Sequence, residues 1–228
     1  MLWLKLGWRN LRRNRRRTAI ELASISGSVL ICIFITNFAQ GAFTQMIETG
    51  VRIGSGHIGV YRGDYLSLRR MESTVPAGRL VSRITGIPGV RAVFPRLYVP
   101  CLARSSRNSK TAVFMGVDFQ KERDENPALA RKRFISGGIP SPLDSSGVVI
   151  GTLLAEALHV SVGSRIVMMA QGPGGEIANE LFFVSGVIKT GIREFDSTTV
   201  IASRSRLGSA VGCVNDAHEI SVMLSEDR

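Results

Sequence analysis

Cysteine, histidine and tryptophan are scarce in this 228-residue chain, with three, three and two copies respectively. Three cysteines cannot build the dense disulfide framework of a small secreted scaffold. Cys32 lies inside a hydrophobic stretch, which leaves Cys101 and Cys213 in the rest of the chain. Two buried, unpaired thiols are the simpler reading; a single Cys101–Cys213 bridge stays open for an oxidising compartment. The histidines His57, His159 and His218 sit on separate segments without ligand spacing, so structural roles are expected for all three. His218-Glu219 also lacks the second histidine that a zinc-protease helix requires.

Catalytic motifs are missing as well. There is no phosphate loop of the form G-x-x-x-x-G-K-[ST], so the chain is not expected to hydrolyse ATP. Gly172-Pro173-Gly174-Gly175 lacks the following lysine and reads as a hairpin turn. No serine stands in a G-x-S-x-G elbow, and Gly54-Ser55-Gly56 is too short to form one. No catalytic, cofactor-binding or metal-binding residue is therefore assigned, and no cofactor is expected. A domain without a catalytic centre binds, senses or transmits motion.

Acidic residues are absent from the first 18 positions, which carry Lys5, Arg9, Arg12, Arg13, Arg15, Arg16 and Arg17. These give +7 of the net +11, leaving +4 for all the rest. The basicity belongs to a terminal segment and not to the folded part, which argues against a nucleic-acid partner. Over residues 1–18, Leu4, Trp8 and Leu11 share one helical face while Lys5, Arg9, Arg12 and Arg16 share another. A cytoplasmic amphipathic helix lying on membrane lipid fits that pattern, with Trp3 and Trp8 at headgroup level. A disordered basic tail that only sets topology is the competing reading.

One long apolar run follows, over residues 19–43, densest from Val29 to Phe38. Its length suits a helix crossing a hydrocarbon core of about 30 Å. Glu21 lies near the basic end, within reach of headgroups or a neighbouring arginine. Ser24, Ser26, Gly27 and Ser28 form a small-residue cluster that either admits a second helix closely or is merely tolerated in lipid. Seven Lys/Arg precede the run, and only Arg52 and Arg62 occur in the twenty residues after it. The positive-inside rule then places the N-terminus in the cytoplasm and the main domain outside the cell inner (plasma) membrane. A cleaved signal peptide competes poorly, since the basic region and the apolar run are both too long.

Residues 44–228 read as an extracytoplasmic (periplasmic) α+β domain of two small subdomains, with a helical stalk over 44–53. Strands are expected over His57–Tyr61, Val90–Ala103, Lys110–Val117, Val148–Ile150, Arg165–Ala170, Glu180–Ile188, Thr198–Ala202 and Glu219–Leu224. Short helices are expected over Pro76–Ile84, Leu153–Leu158 and Arg204–Val211. Glu122 to Arg133 reads as a charged, exposed stretch. The Gly-, Pro- and Ser-rich residues 136–146 mark the expected subdomain boundary.

The run Trp8-Arg9-Asn10-Leu11-Arg12-Arg13-Asn14-Arg15-Arg16-Arg17-Thr18, leading into a membrane helix, resembles the start of ABC-transporter permeases of the MacB/LolC/FtsX type. Ile53-Gly54-Ser55-Gly56-His57-Ile58-Gly59-Val60-Tyr61, with Asp64-Tyr65 after it, is similar to the opening of their extracytoplasmic core domain. Gly116-Val117-Asp118, Val149-Ile150-Gly151 with Leu154-Ala155, and Val162-Gly163-Ser164-Arg165-Ile166 follow in the family's order. So do Phe183-Val184-Ser185-Gly186-Val187 and Glu194-Phe195-Asp196, and the lipoprotein-handling branch looks nearest. The resemblance implies a non-enzymatic permease subunit, or the N-terminal half of one, whose partner ABC ATPase hydrolyses ATP. It implies a second permease subunit, or a C-terminal transmembrane half, in a homo- or heterodimer, and handling or release of lipoproteins or other substrates. No second apolar run of spanning length occurs, so a fragment, a truncated gene product and a split permease all remain open. Outside this family, a single-pass anchored binding or sensor protein is the alternative.

Overall fold

The computed structural model describes residues 13–53, 56–63 and 65–225. Most of the amphipathic helix expected over 1–18 lies outside them. The chain forms two compact units, divided between Glu48 and Thr49.

The first unit is built on helix α1, Arg15–Ile53, 39 residues without interruption, whose last residues, from Thr49, belong to the second. An 18-residue window within its Arg15–Gly41 part has a mean hydropathy of 2.0, and none of that window is buried against protein. A helix can sit in lipid only if its polar groups find partners within the helix. Here Ser24 Oγ donates to the Ile20 carbonyl, Ser28 to Ser24, Thr36 to Cys32 and Asn37 to Ile33, each at 2.8 Å. Arg17 and Glu21 pair at 2.9 Å one turn apart, so the single acid of the run has a cation beside it.

Among the described residues the second unit holds eleven strands: β1 (Ile58–Tyr61), β2 (Val75–Pro76), β3 (Val90–Arg104), β4 (Ser109–Val117), β5 (Phe134–Gly137), β6 (Gly147–Gly151), β7 (Arg165–Gln171), β8 (Ile177–Ile188), β9 (Thr199–Ser203), β10 (Asp216–Ala217) and β11 (Glu219–Leu224). Among them run helices α2 (Tyr65–Leu68), α3 (Ala77–Thr85), α4 (Phe119–Glu122), α5 (Thr152–Leu158), α6 (Arg193–Thr198) and α7 (Arg204–Val211). The expected class holds: one apolar helix stands ahead of a sheet-rich α/β unit. Nine strands share one sheet, and six of these close on themselves. Strand β3 pairs with β4, β4 with β9, β9 with β6, β6 with β8, β8 with β7, and β7 returns to β3. A barrel this narrow is filled by its own side chains. Val99, Phe114, Ile150, Met168, Phe182 and Val200 supply the filling, joined by Leu154 and Leu158 of α5 and Leu207 and Val211 of α7.

Because side chains alternate along a strand, the same strands present a second row outward. On β4, β6 and β9 that row is Met115, Val117, Val149 and Ile201, and it is covered by Phe119, Ala128 and Leu129. Strand β3 is long enough to leave the barrel. Its first half pairs with β11, which pairs with β1, and α3 closes a third apolar cluster there through Leu80, Val81 and Ile84.

Two expectations are corrected. The stretch from Glu122 to Arg133 is not simply exposed: Glu122, Asn126, Ala128 and Leu129 are buried. Local charge density conceals this, because Glu122 at the end of α4 turns toward the sheet to meet Arg96 of β3. Residues 136–146 do not divide the domain either. Strand β5, which runs into that stretch, pairs with β8 beyond it, and β4 before it pairs with β9 after it. Pairing across that distance is set by the sheet and leaves no local sign.

Candidate functional site

Five buried polar side chains, Arg96, Glu122, Asn126, His218 and Glu219, lie where β3 leaves the barrel to join β11. Arg96 stands in the run Val93-Phe94-Pro95-Arg96-Leu97, where strand alternation turns it to the face opposite the core-filling Leu97, and it is 1% exposed. Its Nη2 donates to Glu122 Oε2 at 2.8 Å and its Nε to Oε1 at 3.3 Å, a two-pronged pair. Asn126 Nδ2 donates to the same Oε2 at 2.9 Å, and Asn126 Oδ1 accepts from the Ala128 amide at 3.0 Å. Asp118 caps α4 by accepting from the Gln120 amide at 3.2 Å and so aims Glu122 at the barrel wall. Burial disfavours the Arg96 charge, but the adjoining Glu122 more than compensates and holds the guanidinium protonated.

On the next strand Glu219 is 2% exposed. It accepts from the Tyr98 hydroxyl at 2.6 Å and the Tyr61 hydroxyl at 3.0 Å, tying β1, β3 and β11 through one carboxylate. Burial, then the Glu219 charge, pushes the Tyr98 hydroxyl well above its ordinary range, so it stays a donor. Burial likewise raises the Tyr65 hydroxyl to about 12. His218 is fully enclosed. Its Nδ1 accepts from the Tyr98 amide at 3.1 Å, and its Nε2 lies 3.1 Å from the Met71 carbonyl, a contact that requires the proton on Nε2. Tyr65 stacks on the ring at 4.9 Å between centroids. Burial lowers the His218 pKa below its usual value. Every member of the network points at protein, so the arrangement braces strands against one another and presents no free nucleophile.

The other histidines lie apart. His57 Nδ1 accepts from the Leu224 amide at 3.4 Å. His159 ends α5 in the left-handed conformation at φ 53° and lines an open cleft of about 460 Å³ with Glu156 and Ser161. Among the described residues no three His, Cys, Asp or Glu side chains gather to hold a metal ion. Cys101 and Cys213 are unpaired and buried. Burial pushes the Cys101 thiol up to about 12 and raises Cys213 too, so neither is a thiolate near neutrality. Sequence reasoning placed the histidines but missed Arg96, Glu122, Tyr98 and Glu219. The available signal was charge inside strands: Arg96 among apolar β-formers, and Glu219 opening Ile220-Ser221-Val222.

The fold is a known one. It matches the periplasmic region of MacB from Actinobacillus actinomycetemcomitans with a TM-score of 0.54 at 14% identity, over 75% of each chain. It also matches the extracellular domain of the noncanonic ABC-type transporter YknZ from Gram-positive bacteria, with a TM-score of 0.51 at 17% identity, over 74% of this chain and 82% of that one. No curated protein matches in sequence. The family described as MacB-like periplasmic core domain matches residues 18–227, from within the apolar helix to the end of the sheet-rich unit. That span covers most of the sequence, so the chain belongs to the MacB-like periplasmic core domain family.

Proposed function

We propose that this chain is a permease component of an ABC-type transporter, non-enzymatic in itself. The supporting observation is the unbroken family match over residues 18–227, which includes the apolar helix together with the sheet-rich unit. In this reading α1 crosses the inner membrane with its arginine-rich end in the cytoplasm, the orientation that the charge asymmetry supports. A partner ATPase closes on ATP and shifts the membrane helices, and α1 carries that displacement to the extracytoplasmic domain. The domain then engages or releases its cargo, with a lipoprotein as the first candidate class. A second permease subunit, or a C-terminal transmembrane half, completes the bundle.

The test is co-purification of the full chain, in mild detergent, with an ABC ATPase subunit from the same cells. A stable complex whose ATP turnover rises at least threefold when the chain is present is expected. Purification of the chain alone, with no ATPase bound under any nucleotide condition, would sink the proposal and favour a single-pass anchored sensor. Orientation is checked separately: alkaline phosphatase fused after Leu224 is expected to be active, and an inactive fusion would reverse the topology.

A further inference from the structure

Among the described residues of the second unit, one half of the barrel's outer wall is covered and the other half is bare. On β4, β6 and β9 the outward residues are covered by α4 and the turn at Pro127–Leu129, with Glu122 paired to Arg96 beneath that cover. On β3, β7 and β8 the inward residues, such as Cys101, Met168 and Phe182, fill the core, so the alternating ones face out. The pairings Leu102 with Met169, Val167 with Leu181 and Arg165 with Phe183 make those outward residues contiguous. Leu102 and Leu181 are each 40% exposed and Phe183 is 36% exposed. Two cations stand within the patch: Arg104, opposite Val167, and Arg165, whose guanidinium lies 6.0 Å from the Phe183 ring centroid. The outward positions of these three strands hold no Asp or Glu.

A sheet face of this kind needs an element laid over it, and an apolar patch crossing three strands marks an interaction site. We infer that the β3–β7–β8 wall is the docking surface for an acidic amphipathic helix of a partner protein. Two observations select this occupant. The covered wall shows how the fold solves the same problem, with a short helix that brings apolar side chains and an acid. The bare wall offers two arginines and no acid, so a second copy set face to face would oppose like charges. The inference is independent of the transport reading, since it concerns the domain's surface alone.

The probe is a fluorescein-labelled 18-residue helical peptide with leucines at i, i+3, i+4 and i+7 and glutamates on its flanks. Its match carries lysines in place of the glutamates. Anisotropy is measured against the full chain in detergent. Tighter binding of the acidic peptide by about tenfold is expected, lost in Leu181→Lys and in the double variant Arg104→Glu, Arg165→Glu. Both substitutions lie at the surface, and an unchanged melting temperature establishes that they fold. In cells, benzoylphenylalanine at Leu181 is expected to cross-link to an acidic helical segment of another protein. Equal affinity for the two peptides, no binding of either, or cross-linking only to a second copy or to lipid would each overturn the inference.

Discussion

At the scale of single residues, the domain is held by charges that have left water. Arg96 and Glu122 are each about 1% exposed, and each satisfies the other. Removing one partner of such a pair strands the other and costs about 3–5 kcal/mol, far more than a surface pair contributes. Glu122→Ala is therefore expected to lower the unfolding free energy, read from urea titration, by that amount. The double variant Arg96→Met, Glu122→Leu should recover most of the loss, and a double variant no better than Glu122→Ala would contradict this account. His218 makes a second residue-level prediction. Its folded pKa lies below the unfolded value of about 6.5, because burial favours the neutral ring. Below that unfolded value the unfolded chain binds a proton that the folded chain resists, so His218 favours the folded state fully above about pH 6.5 and less as pH falls. The groups around it are the Tyr65 ring, the Tyr98 amide, the Met71 carbonyl and the more distant Asp216 charge. Melting temperature is expected to fall between pH 7.5 and 5 in the native chain. In His218→Gln it should start lower and vary less over the same range.

At the scale of elements, the strong patterns were legible and the weak ones were not. Helix α7 and strand β11 match their sequence expectations residue for residue, because each has a clear period and clear flanks. The hairpin between β3 and β4 was visible in its polar link, where Ser105 Oγ accepts from the Asn108 amide at 3.1 Å. Strand β5, the short pair β2 and β10, and helices α2, α4 and α6 were missed. They run only two to six residues, too short for periodicity to register, and their positions are set by pairing and packing. Helix α6 is an example. Asp196 accepts from the Thr190 amide at 2.9 Å and the Thr190 hydroxyl at 2.7 Å, which fixes the turn leading into it. Its backbone then crosses β6 so closely that a Cβ on Gly151 would collide with the Asp196 carbonyl. Gly151→Ala is accordingly expected to destabilise by about 1–3 kcal/mol, the usual range for overpacking, although alanine suits its extended backbone. A thermal scan reads this directly, and an unchanged midpoint would mean that α6 yields without cost.

At the scale of the whole molecule, the apolar helix and the order of α and β segments could be read from the chain, and they led to the right family. The resemblance rested on short pieces in a fixed order, which is why nothing smaller than the whole chain carried it. Ring closure could not be read. Strand β7 must find β3 across the intervening β4, β5 and β6, and no local feature of Arg165–Gln171 announces that partner. Closure has a kinetic consequence: a ring of paired strands has no first strand to peel away. Its amides can meet deuterium only when the whole ring opens, whereas β1, at the end of the sheet path, can detach without disturbing the ring. Native-state hydrogen exchange should thus separate two classes of amide. Those of Ile58–Tyr61 are expected to exchange at least about tenfold faster than those of Val148–Ile150, and the slow class should slow or quicken together when denaturant is varied.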